Sequence, residues 1–274
     1  MTTTLRPTEP LQHGADGVRS RRYEVCVNGR PVGTLHLATH PLFGPRAALI
    51  TELRIDERER GRGRGTVAAL AAEEVARTWG CRRIEASVPA AHQDLLRLAT
   101  TLGYLERNRT MAKSLEAAPR PLPGGTAGRR MTEAEFTAWR ARAKETYVHT
   151  WTERGIPEGE ARAKADRDHA ALLPEGLATP DVLLSVLEHD GEPVGTLWLA
   201  LRDDGAYVYD VEVTAERRGR GHGRALMLLA EADALAVGAD RIGLNVFADN
   251  KAALSLYTSL GYQPVQHHLY KTLL

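Results

Sequence analysis

Residues 52–113 and 210–271 repeat one another at a constant offset of 158, which limits the chain to folds built twice. Glu52-Leu53-Arg54-Ile55 stands against Asp210-Val211-Glu212-Val213, and the Arg60–Gly65 run against Arg218–Gly223. Gly80, Arg83, Ile84, Gly103, Tyr104 and Lys113 fall on Gly238, Arg241, Ile242, Gly261, Tyr262 and Lys271. Upstream the register continues at an offset of 162, from Gly29–Leu35 to Gly191–Leu197. The first copy therefore carries four extra residues, expected in the turn-rich stretch His40-Pro41-Leu42-Phe43-Gly44-Pro45, where insertions cost least.

The duplication divides 274 residues into two domains, each long enough for its own core. Lys plus Arg number 36 against 35 Asp plus Glu, so net charge recruits neither nucleic acid nor an anionic membrane. No apolar run reaches bilayer length, and Met1–Pro7 lacks the apolar core of a secretory signal, so a cytoplasmic protein is expected. Cys26 and Cys81 both fall in the first half and have no metal-ligand spacing, which makes them core residues.

The second copy spells out its elements. Val182–His189 and Val194–Leu201 are apolar and flank Asp190-Gly191, a hairpin signal, and Tyr207–Val213 adds a third strand. Ala225–Val237 has helical spacing and is closed by Gly238, Ile242–Phe247 is a buried strand, and Asp249 or Asn250 caps a helix ending at Gly261. Tyr262–Leu273 is the last strand. The order β-β-β-α-β-α-β gives a mixed, mostly antiparallel α/β sheet flanked by helices. A capping box, Thr132 with Glu135, starts a preface helix expected to reach Tyr147, and a second runs from Pro157 to Leu173. Fewer than thirty residues precede the first copy's hairpin, so that copy is truncated. The expected domains are 1–115 and 129–274, joined by an Ala/Pro/Gly-rich linker over 116–128.

Arg218-x-x-Gly221-x-Gly223 lies between a strand and a helix start. Glycines let the backbone turn tightly, and the first-turn N–H groups then point outward at the positive end of the helix dipole, an anion site suited to pyrophosphate. Arg218, Arg220 and Arg224 are placed to add charge-assisted bonds. Alone, the run also reads as an exposed loop or an RNA-binding Arg/Gly element. The dinucleotide fingerprint fits worse, and no Lys-Ser/Thr pair supports a P-loop.

With Asn250-x-x-Ala253-x-x-x-Tyr257-x-x-x-Gly261-Tyr262 downstream, the second copy resembles the GNAT superfamily of acyl-CoA-dependent N-acetyltransferases, and the chain a tandem member of it. The resemblance implies a coenzyme A site made by Arg218, Gly219, Arg220, Gly221, His222, Gly223 and Arg224. It further implies that the backbone of Val211 and Val213 pairs with pantetheine, that Asn250 holds the pantetheine arm, and that Tyr257 protonates the departing thiolate. Asn250 and Tyr257 are two helical turns apart and share a face; a helix cap and a packed aromatic are the plainer account. Asp210 and Glu212 alternate with the valines, so both carboxylates share the opposite sheet face. Glu212 is the first choice of general base, against a solvated face with salt bridges.

The first copy keeps Arg60, Gly61, Arg62, Gly63, Arg64 and Gly65, a second candidate cofactor loop, but places His92, Leu95 and Ala99 where the second has Asn250, Ala253 and Tyr257. Ala99 cannot protonate a thiolate, so this copy is expected to be catalytically silent; His92 is a weaker candidate acid. Tyr147, His149 and Trp151 are candidates for an acceptor wall or for ordinary packing. The expected activity is transfer of acetyl from acetyl-CoA to a primary amine of a small molecule, by direct attack in a ternary complex. Neither metal, nucleic acid nor membrane is called for, and a homodimer is left open. The alternative is a non-catalytic acyl-CoA sensor or scaffold, for which Tyr257 and Glu212 are expendable.

Overall fold

A computed structural model describes residues 2–14, 17–41, 43–116 and 118–273. Leu42, in the turn expected to absorb the insertion, and Ala117, in the expected linker, lie outside the described residues, as do Met1 and Leu274. The first copy runs β1 (Thr3–Pro7), β2 (Gln12–His13), β3 (Arg19–Val27), β4 (Arg30–His40), β5 (Gly44–Ile55), α1 (Arg64–Thr78), β6 (Arg83–Pro89), α2 (Gln93–Thr101) and β7 (Leu105–Ser114). The second runs β8 (Thr126–Arg130), α3 (Glu133–Thr152), α4 (Glu158–Leu172), β9 (Val182–His189), β10 (Glu192–Arg202), β11 (Gly205–Val213), α5 (His222–Ala236), β12 (Arg241–Phe247), α6 (Lys251–Ser259) and β13 (Gln263–Thr272). The hairpin turns Asn28-Gly29 and Asp190-Gly191 each place both residues at positive φ, the turn whose twist suits two flanking strands.

By contact, the chain forms two compact units that cut across the copies. One holds the chain up to Arg109, Phe247–Asp249 and the chain from Pro264 onward; the other holds Thr110–Val246 and Asn250–Gln263. The first unit's strand order is β1-β3-β4-β5-β6-β13, with β2 on β3; the second's is β8-β9-β10-β11-β12-β7. Each unit is thus completed by the last strand of the other copy. Equivalent residues make the exchange nearly free, because either strand offers the same partner. Lys271 Nζ meets Glu73 of α1 at 2.7 Å in the first unit, and Lys113 Nζ meets Glu231 of α5 at 2.8 Å in the second. Both carboxylates are almost wholly buried, so each closing strand brings a lysine that neutralises one of them.

In the first unit, Val25, Leu35, Leu37 and Ile84 meet Ala68, Ala72 and Ala76 of α1 and Leu269 of β13. The second has a core on each face. Leu197, Leu199 and Val208 pack on α5, while Leu184, Val186 and Trp198 meet Phe136 and Trp139 of α3 and Leu173 just after α4. α3 starts as expected: Thr132 Oγ1 accepts from the Glu135 N–H at 3.3 Å, and Glu135 Oε2 accepts from the Thr132 N–H at 2.8 Å. It runs past Tyr147 to Thr152, since nothing before Gly155 breaks the pattern. The expected linker ends in structure, because β8 begins at Thr126 and pairs with β9. The extra residues of the first copy are absorbed between β4 and β5, where the register breaks between Thr39 and His40.

Candidate active site

β11 positions the site because it loses one neighbour partway along. Its antiparallel pairing with β10 skips Tyr209, so that Trp198 faces Asp210 and Leu199 faces Val208. A bulge of this kind bends the strand and increases its twist. The parallel pairing with β12 covers Ala206–Val208 only, which leaves the β12 side of the Asp210–Val213 backbone outside that ladder. The first copy repeats both features: Thr51 is skipped, and β5 pairs with β6 over Ala47–Ile50.

Beside this opening is a cleft of about 310 Å³. Val211 and Val213 line it from β11, Arg217, Arg218, Gly219, Gly221, His222 and Gly223 from the loop and the start of α5, and Asn250, Ala252, Ala253, Leu256 and Tyr257 from α6 and its cap. Gly219 and Gly221 have φ of 75° and 85°, a region that favours glycine, and space is open where their side chains would be. Gly221 caps α5, so the first-turn N–H groups have no intrahelical acceptor. Arg218 Nε donates to the Val213 carbonyl at 3.1 Å, tying loop to strand. The lining is cationic and rich in N–H groups at the loop and apolar along Val211, Val213, Ala253 and Leu256. That donor set fits an elongated, phosphate-bearing thioester such as acetyl-CoA.

Several sequence candidates are held by contacts within the chain. Arg224 donates to Ser259 Oγ at 2.6 Å and bridges α5 to α6, and neither it nor Arg220 is part of the cleft lining. Asn250 Oδ1 accepts from the Ala253 N–H at 3.1 Å, so this residue is a helix cap that also faces the cleft. His222 is buried against His189, with ring centroids 5.0 Å apart; burial, then His189, Arg217 and Arg220, push its pKa down. Tyr147 donates to Asp168 at 2.7 Å and Trp151 is buried, so packing occupies these two, while His149 is exposed beside Glu153. An open hollow of about 400 Å³ around His149 shares no residue with the cleft, and its Arg162 is already paired with Glu145 and Glu158. Both cysteines are buried core residues.

Asp210 and Glu212 lie on the sheet face covered by α3 and α4, as their partners Trp198 and Thr196 require. No ion pair engages either among the described residues. Burial pushes Asp210 up to about 6, the Glu212 charge adds to the rise, and the Trp139 indole and the Val211 N–H oppose it. Burial also pushes Tyr257 up to about 12, with the Asp210 charge as the second cause. A buried carboxylate on the strand that lines the cleft and a protonated phenol in the cleft's wall therefore stand within electrostatic reach. Sequence reasoning named both carboxylates, with Glu212 first, and did not name Arg217, which lines the cleft. The alternation shows that both carboxylates share a face, but not which one α3 buries. Arg217 lies one residue before the motif.

Residues 4–104 and again 136–262 match the acetyltransferase (GNAT) family. A mycothiol acetyltransferase of Beutenbergia cavernae is 32% identical over 230 residues, covering 79% of this chain and 74% of that protein. A GCN5-related N-acetyltransferase from Sphaerobacter thermophilus shares the fold, with a TM-score of 0.59 at 20% identity over 92% of this chain and 80% of that one. So does a tandem GNAT protein from the clavulanic acid biosynthesis pathway, with a TM-score of 0.53 at 17% identity over 93% and 83%.

Proposed function

The chain belongs to the acetyltransferase (GNAT) family and is an acyltransferase, and on that premise we propose that its second unit moves acetyl from acetyl-CoA to a primary amine of a small molecule. The observation that carries this reading is a cleft that joins an open, arginine-bearing helix start to Tyr257, with the Asp210 carboxylate within electrostatic reach of that phenol.

In this reading the first-turn N–H groups of α5, with Arg217 and Arg218, hold the pyrophosphate. The β12 side of Val211 and Val213 offers backbone groups to pantetheine, and Asn250 steadies the arm. When bound, the group supplies an electrophilic thioester carbonyl and a thiolate leaving group. Asp210, with a pKa of about 6, is mostly ionised at pH 7 and accepts the proton of an ammonium acceptor, directly or through water. Glu212 lies two residues along the same face and keeps the site anionic, which favours a cationic acceptor. Tyr257 stays protonated at working pH and donates to the departing sulfur. Trp139 and Trp198 wall the face on which the carboxylates sit. Both Cys26 and Cys81 are buried in the first unit's half of the chain, which supports direct attack in a ternary complex over an acyl-enzyme route.

The test is release of free thiol on mixing acetyl-CoA with a panel of small primary amines, with acceptors of the mycothiol series first because of the Beutenbergia relative. Intersecting initial-velocity lines support a ternary complex; parallel lines overturn it. Binding without thiol release from any amine returns the chain to the sensor reading.

A further inference from the structure

The first unit's loop has the backbone of the second unit's anion site but a different filling. Gly61 and Gly63 have φ of 70° and 74°, and Gly63 caps α1 as Gly221 caps α5. Arg60 Nε donates to the Ile55 carbonyl at 2.9 Å, matching Arg218 and Val213. The residue before the motif, however, is Glu59, where the second copy has Arg217. Although acidic, Glu59 is only 8% exposed. Its carboxylate takes a short bond from Arg30 and lies 3.9 Å from both Arg62 Nη1 and Arg64 Nε. The Arg30 position is Glu192 in the second copy, so both members of the pair are reversed in charge.

We infer that Glu59 fills the anion position of the first unit and closes that loop to coenzyme A, so that the chain binds the cofactor through its second unit alone. The inference rests on the reading of the second cleft given above. Arg30, Arg62 and Arg64 gather on a carboxylate belonging to the chain, at the position whose counterpart, Arg217, lines the second cleft, and an incoming anion must either displace it or sit against it. The Arg30 bond, then the other arginines, keep that carboxylate below the usual range and therefore ionised at neutral pH. Intact glycines do not make the first loop a working site, because the charge beside them decides what it accepts.

Calorimetric titration of coenzyme A decides it, in a Gly221→Glu background that silences the second cleft. Glu59→Arg, the residue of the second copy, is expected to gain a site about tenfold or more tighter than the background. Glu59→Gln, which keeps the shape, gains less, and Gly63→Glu abolishes both gains. Cofactor binding in the background that Gly63→Glu removes overturns the inference, and so does a folded Glu59→Arg with no gain. Where Glu59→Arg does not fold, Glu59→Gln carries the reading by the same criterion. A wild-type chain that binds no coenzyme A sinks the reading of the second cleft, while the Glu59 gain is scored separately.

Discussion

The sheet faces that carry Asp210 in one unit and Glu52 in the other share a register and have opposite character. In the first unit this face shows Arg22, Glu24, His36 and Glu52; the same positions in the second hold Leu184, Val186, Trp198 and Asp210. Arg22 and Glu52 have side chains 59% and 45% exposed, whereas Leu184, Val186 and Trp198 are 3–5% exposed beneath α3. Among the described residues the first copy has no such helices, and polar residues that tolerate water stand in place of the apolar floor. Glu52 accepts from Thr34 at 3.0 Å and faces Arg22 in solvent, while Asp210 sits under Trp139 with its proton held up to about pH 6. Covering a face changes what a carboxylate on it can do. One duplicated fold thus carries a solvated surface in one copy and a candidate base in the other.

The largest expected effects come from breaking that difference at the chemistry. Tyr257→Phe should lower kcat by about 10²-fold or more with little change in melting temperature, and Ala99→Tyr in the first unit should restore nothing. Asp210→Asn should cost a similar ~10²–10⁴-fold and abolish the rise of kcat with pH through about 6, while Glu52→Gln leaves the profile unchanged. If Glu212→Gln, rather than Asp210→Asn, removed the acid limb, the base would have been misplaced. Next in size is packing. Trp198→Ala should destabilise by ~3–5 kcal/mol, and His36→Ala, at the same register on the bare face, by less than ~0.5 kcal/mol. Denaturant titrations of both variants check the pair.

A smaller effect has the opposite sign. The folded-state pKa of Asp210 lies above the ~3.9 of an unfolded aspartate, so the folded state binds the proton more tightly. Its contribution to stability is therefore full below about pH 4 and is lost as pH rises through about 6. At pH 8 Asp210→Asn should raise stability by ~1–3 kcal/mol, and at pH 4 by almost nothing. An inactive variant that is more stable only at high pH would mark Asp210 as a strained functional carboxylate. Equal stability at both pH values would remove the burial argument.

The sequence carried the element order well because its signals are local. Asp190-Gly191 makes a turn wherever it stands, and Thr132 with Glu135 caps a helix without help from distant residues. The arginine–glycine loop was legible for the same reason, since positive φ and a helix start are backbone properties. The exchange of β7 and β13 was not, because two copies with Lys113 and Lys271 at equivalent places pair equally well with either glutamate. Glu59 was invisible in the same way. As a single acidic residue in a charged run it has no pattern, and only its approach to Arg30, Arg62 and Arg64 gives it a role. The raised pKa of Asp210 depends on α3, some seventy residues earlier in the chain, folding over it.

The mildest change tests whether α3 matters to the site or only to the fold. Glu135 is held down to about 2, first by Arg129 and then by the Thr132 N–H, and this box starts the helix that brings Trp139 over Asp210. Thr132→Ala removes one of the two reciprocal bonds and should cost ~1 kcal/mol, a shift of ~2–4 °C. Because the folded pKa of Glu135 is depressed, its contribution is present above about pH 4 and lost as pH falls toward 2. Its side chain is about a third exposed, so solvent screening keeps that contribution to ~1 kcal/mol or less. The informative readout is local. Amide exchange should quicken in the first turns of α3 and leave α1 untouched, and KM for the acceptor should rise while coenzyme A affinity holds. Unchanged acceptor KM despite a frayed α3 would show that the helix pair shelters the sheet without shaping the acceptor site.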